Sequence, residues 1–238
     1  MALELNKNGF IDNSSCNRQS ICILIDNSEN VEPRIKDMIY ESIELLFAKM
    51  KEQKSLIGRM DLAFVLLNRD EKDNIDFCPL QQSVLPDLMV KSQNLQSDSL
   101  KAGFLKAMYL LRKQRNEYRM KEISYYMPWI IYFGGENKLV ELEEVEQEIQ
   151  SRIENDELRV YSILLDKKSK EYFSSYMDCS NTYFADASNR LAKVMEQLID
   201  NMNMVSKSSE RARIGYEKSY HGTISWERAS KIAQKKLK

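Results

Sequence analysis

Residues 20–30, Ser20-Ile21-Cys22-Ile23-Leu24-Ile25-Asp26-Asn27-Ser28-Glu29-Asn30, decide how the chain is read. SICILI is a short, unbroken apolar run rich in β-branched residues, the pattern of a strand covered on both faces, as in the middle of a parallel sheet. It stops abruptly at a polar loop. Pro33, suited to the first turn of a helix, follows, and Ile35, Ile39, Ile43, Leu46, Phe47 and Met50 recur at three- and four-residue spacing to about Lys54. Strand, polar loop and amphipathic helix make one βα unit, with the loop at the strand's carboxyl end.

The same alternation continues outward. Met60–Leu67 and Ile75–Leu80 read as two strands joined by the charged turn NRDEKDN, short enough for an antiparallel hairpin, and Pro79 suits the end of an edge strand. Leu100, Phe104, Ala107, Met108 and Leu111 line one face of a helix over Ser99–Arg115. Pro128–Phe133 is a fourth strand closed by Gly134-Gly135; a helix over Leu139–Glu154, a strand over Leu158–Leu165, a short strand at Tyr183-Phe184 and a helix over Ala187–Met204 complete the series. The expected fold is α/β: a doubly wound, mostly parallel sheet of about six strands with helices on both faces, one antiparallel edge strand and the first strand central. Residues 20–208 form this domain, 1–19 a polar leader, and 209–238 a basic tail with a short helix.

Ligands of such sheets sit at the carboxyl ends of the strands, near the point where the helices change faces. That rule brings three loops to one rim: Asp26–Asn30, Ser97–Ser99 and Gly134–Glu136. Their sequences, ICILIDNSEN, QSDSLKAGFLKAMYLL and WIIYFGGEN, resemble in order and context the metal-ion-dependent adhesion site of von Willebrand factor A domains. In that family one strand ends in Asp-x-Ser-x-Ser, a Thr precedes the second major helix, and an Asp-Gly follows the fourth strand. The similarity covers roughly Arg18–Ser208. It is strongest to TerY-type proteins of bacterial tellurium-resistance and stress operons, whose closing Ala-Asp turn and helix ADASNRLAKVMEQLIDNMNMVSKSS looks like.

The resemblance implies magnesium or manganese held by hydroxyl and carboxylate oxygens, with one coordination place left for a partner's carboxylate. The match is partial. Asp26 and Ser28 stand at the first two positions, Asn30 replaces the second Ser, Asp98 falls at the Thr position, and Gly134 replaces the distal Asp, with Glu136 nearby to substitute. The expected site is therefore Asp26, Ser28, Asn30, Asp98 and Glu136, degenerate, binding Mg2+ or Mn2+ weakly or not at all. In the alternative reading the loop is vestigial, and Asp26 and Ser28 cap the following helix.

Composition narrows the function. Hydrophobic residues are 43% and charged residues 30%, a globular balance, and no run approaches the roughly 18 apolar residues of a membrane span. The N-terminal stretch lacks a secretory pattern, and the four scattered cysteines form no CxxC pair, so a cytoplasmic chain with free thiols is expected. A single histidine, His221, disfavours a His-based nucleophilic relay. No catalytic residue is assigned.

Net charge is −1, but Lys207–Lys238 holds nine Lys/Arg against three Asp/Glu, which leaves the rest of the chain near −7. Ile224, Trp226, Ala229, Ile232 and Ala233 form an apolar stripe in this tail. The expected function is a non-enzymatic protein–protein adaptor that docks partners at the rim or the tail. The resemblance extends this to a bacterial stress-response or phage-defence complex linked to phosphorylation. The alternative is a nucleic-acid module using the basic tail, with Tyr216, Tyr220 and Trp226 stacking on bases. The aromatic group Tyr125, Tyr126, Trp129, Tyr132 and Phe133 is expected to be about half core, by strand alternation.

Overall fold

The computed structural model describes residues 17–27, 31–67, 73–87, 100–134, 143–165, 182–185 and 188–207. They form β1 (Gln19–Ile25), α1 (Pro33–Glu52), β2 (Met60–Leu66), β3 (Ile75–Pro79), α2 (Leu100–Met120), β4 (Trp129–Gly134), α3 (Glu143–Glu154), β5 (Arg159–Leu164), β6 (Thr182–Phe184) and α4 (Ser188–Lys207). The sheet order is β3-β2-β1-β4-β5-β6, with every pair parallel except β2–β3. β1 is thus interior, and the chain reverses its direction of travel across the sheet between β1 and β4.

Strand alternation divides the core into two layers. Ile21, Ile23 and Ile25 of β1 join Met60, Leu62, Phe64, Trp129, Ile131 and Phe133 beneath α1 and α4. Cys22 and Leu24 join Ala63, Val65, Ile130 and Tyr132 beneath α2 and α3. Each fully buried aliphatic of β1 contributes about 1.5–3 kcal/mol. Both faces need apolar side chains, which is why SICILI runs without polar alternation. Burial of Cys22 also pushes its thiol well above the ordinary range, since no charge nearby stabilises a thiolate.

Two elements differ from expectation. α2 runs to Met120, five residues beyond Arg115, and closes where Glu122 adopts φ 55° and the Ile123 N–H reaches the Tyr118 carbonyl at 2.8 Å. The added residues, NEYRM, carry no apolar stripe in sequence; the turn persists because Tyr118, 3% exposed, donates its hydroxyl to Asp61 of β2. Arg18 holds the same carboxylate bidentately, through Nε at 3.0 Å and through Nη2, while its Nη1 donates to the Gly58 carbonyl at 2.7 Å. Burial opposes the Arg18 charge, but Asp61 outweighs it and raises the guanidinium pKa. The network ties β1, β2 and α2 at the amino ends of the strands. Secondly, Tyr125, Tyr126, Trp129, Tyr132 and Phe133 are all at most 2% exposed, not half of them; a strand roofed by helices on both faces has no solvent side for Trp129, Tyr132 and Phe133, and Tyr125 and Tyr126 are buried in the segment leading into it, where the Tyr126 N–H donates to the Arg18 carbonyl at 2.8 Å.

Candidate functional site

At the carboxyl end of β1, Ile25 pairs with Phe133 of β4, and the Asp26 N–H donates to the Phe133 carbonyl at 2.9 Å. Asp26 and Gly134 therefore stand side by side at the reversal point, as sheet topology requires of the loops after adjacent parallel strands. Asp26 is fully buried. A buried carboxylate needs hydrogen-bond donors, and one comes from Tyr132, whose hydroxyl lies 3.4 Å from Asp26 Oδ2.

Tyr132 also explains why position 134 is glycine. Residues two apart on a strand face the same side, and the Tyr132 ring folds over the Gly134 Cα. A Cβ there would collide with the Tyr132 hydroxyl and Cζ and lie 2.7 Å from Cε1. The direction in which a side chain at 134 would project is filled by a phenol whose oxygen meets Asp26. Phe104 of α2 packs against the same ring, centroid to centroid at 5.9 Å.

Asn27 is 8% exposed and accepts a hydrogen bond at Oδ1 from the hydroxyl of Tyr40 on α1. The loop is thus fastened from both layers, by Tyr132 on the α2 side and Tyr40 on the α1 side. The N-cap position of α1 belongs to Glu32, which makes no side-chain cap hydrogen bond; Pro33 takes the first helical position. The capping role expected of Ser28 falls outside the described residues.

Of the expected ligand set, Asp26 alone falls within the described residues; Ser28, Asn30, Asp98 and Glu136 lie outside them, as do Ser97–Ser99 and Gly135. Among the described residues no group of three or more His, Cys, Asp or Glu side chains is placed to hold a metal ion. The oxygen donors at this rim that can be described are Asp26, engaged by Tyr132, and Asn27, engaged by Tyr40. In the sequence Tyr132 stands out only as one of the aromatic group around β4, and Tyr40 carries no motif. The signal that points to one of them is the i, i+2 pairing of a large phenol with glycine at the end of a buried strand.

No family model matches the sequence, and no curated protein matches it. Solved structures similar to the chain include proximal thread matrix protein 1 from the mussel byssus with a zinc-occupied MIDAS motif. The identity is 11% and the TM-score 0.45, over 79% of this chain and 46% of that one. A second crystal form of the same protein gives 12%, 0.45, 79% and 46%. The chain thus spans less than half the length of these structures. Among the described residues, no helix is long and apolar enough to cross a membrane.

Proposed function

We propose that the chain is a non-enzymatic protein-interaction module of the von Willebrand factor A type, presenting the strand-end rim and the basic tail to protein partners. The observation that carries this reading is the placement of Asp26 and Gly134 side by side at the β1–β4 reversal. The resemblance assigns the partner-binding site to that place. Support also comes from how the described rim groups are used: Asp26 and Asn27 are committed to scaffold tyrosines, which suits a rigid docking surface better than a reacting centre. The loop sequences support the narrower role of a TerY-like scaffold in a cytoplasmic bacterial stress or phage-defence complex linked to phosphorylation, with Mg2+ or Mn2+ bound weakly or not at all.

The test uses the full chain as bait, followed by reconstitution of any recovered partner from purified proteins. Glu32 and Arg34 are exposed at the start of α1, next to the rim. Glu32→Lys together with Arg34→Glu is expected to weaken the reconstituted complex at least about tenfold, or about 1.4 kcal/mol, while leaving the melting temperature unchanged. Unaltered affinity in that variant removes the rim from the interface and refutes the reading.

A further inference from the structure

α1 and the segment leading out of β3 line an open groove of about 430 Å³. One wall is an exposed ridge of α1, Asp37, Glu41 and Glu44, spaced 4 and 3 so that they share a face. The opposite lip is Asp87, and the floor is apolar: Tyr40, Leu85 and the buried Pro86, with Val84 70% exposed at the edge. Among the described residues no Lys or Arg lines it, and Asp37, Glu41 and Glu44 form no ion pair. Four carboxylates around an apolar floor select a segment that is basic and apolar at once. Part of this chain has that chemistry. From Ser208 onward there are eight Lys/Arg against three Asp/Glu, with Ile224, Trp226, Ala229, Ile232 and Ala233 at helical spacing.

The reach is sufficient. α4 runs parallel to α1: Lys49 meets Glu196 at 3.2 Å, Asn203 Nδ2 donates to Gln53 Oε1 at 3.3 Å, and Arg59 donates to the Ser206 carbonyl. Lys207 therefore ends beside the C-terminal end of α1. At 1.5 Å per residue, the groove at Asp37–Glu44 lies roughly 14–24 Å back along that helix. The sixteen residues from Ser208 to Thr223 span up to about 50 Å when extended. We infer that the groove between α1 and residues 85–87 is occupied in cis by the basic C-terminal segment, its apolar stripe on Tyr40, Leu85 and Pro86 and its lysines on the four carboxylates. A partner carrying a basic amphipathic segment competes with the tail for this groove.

A zero-length carbodiimide joins a carboxylate to a lysine amine only in direct contact, so the full-length protein reports its own docking. The expected products, on the monomer band, link Lys231, Lys235, Lys236 or Lys238 to Asp37, Glu41, Glu44 or Asp87. They are lost at least about tenfold in 1 M salt, where the screening length is about 3 Å. Tail cross-links confined to the glutamates of α3, products between copies only, or no tail cross-link at all each overturn the inference. The second measurement is emission of Trp226; Trp129, the only other tryptophan, is 1% exposed in the core. Asp37→Lys, Glu41→Lys and Glu44→Lys, all at exposed positions, are expected together to shift the emission to the red with no change in circular dichroism. Emission unchanged from the parent refutes docking at this groove.

Discussion

Gly134→Ala isolates the packing that closes the rim. The backbone offers no obstacle, because Gly134 is not among the residues with positive φ, and at a permissive site the exchange is worth about +0.4–1 kcal/mol through the unfolded chain. The side chain reverses that sign. Its Cβ collides with the Tyr132 hydroxyl and Cζ, and Tyr132 is fully buried against Phe104. Overpacking of this kind costs about 1–3 kcal/mol. Displacing the phenol also breaks its hydrogen bond to the buried Asp26 carboxylate, worth about a further 1 kcal/mol given the long 3.4 Å separation. Set against the gain through the unfolded chain, the net destabilisation is about 1–3.5 kcal/mol, which for a domain of this size lowers Tm by about 2–14 °C. Tyr132→Leu removes the colliding atoms at its own cavity cost of about 2–3 kcal/mol. In that background Gly134→Ala is expected to be nearly neutral, giving a coupling of about 2 kcal/mol in a double-mutant cycle. The assay is urea unfolding followed by circular dichroism. A Gly134→Ala protein as stable as the parent, or costs that simply add, shows that Tyr132 does not fill the space at 134.

Asp61→Ala leaves the Arg18 guanidinium and the Tyr118 hydroxyl without their shared acceptor and is expected to cost about 3–5 kcal/mol by chemical denaturation; Tyr118→Phe, which keeps the ion pair, costs about 1–2 kcal/mol. Stability is expected to fall with alkaline pH. Burial raises the pKa values of Cys22, Tyr118, Tyr161 and Tyr183, so the native state retains protons that the unfolded state releases. The loss begins near pH 8.5, the ordinary thiol value, and steepens above about pH 10, where free tyrosine ionises; a stability constant to pH 11 contradicts it. In calorimetric titration magnesium is expected to bind weakly or not at all, and micromolar affinity abolished by Asp98→Ala shows instead a rebuilt site.

The architecture was legible because it rests on local and short-period signals. An unbroken SICILI means two covered faces, the three- and four-residue apolar spacing of Ile35 to Met50 means an amphipathic helix, and the NRDEKDN turn means a hairpin. Together these gave element order, the antiparallel β3 and an interior β1, and strand-end geometry then placed Asp26 and Gly134 on one rim. Each inference uses residues close in the chain, where periodicity of 2 or 3.6 reports burial directly.

Other features depend on residues far apart in sequence, and only the tertiary structure decided them. The Arg18–Asp61–Tyr118 network joins three elements, and because a polar turn can be retained by one distant hydrogen bond, it carries α2 past the end of its apolar stripe. Tyr40 reaches Asn27 because α1 folds back over β1. The glycine at 134, which reads in the sequence as a missing ligand, proves to be the space a tyrosine needs to reach Asp26. The charge asymmetry was visible as a number in the sequence. The groove formed by α1 and residues 85–87 gathers four of the acidic groups around an apolar floor, because helix periodicity aligns Asp37, Glu41 and Glu44 while sheet topology brings Asp87 to meet them.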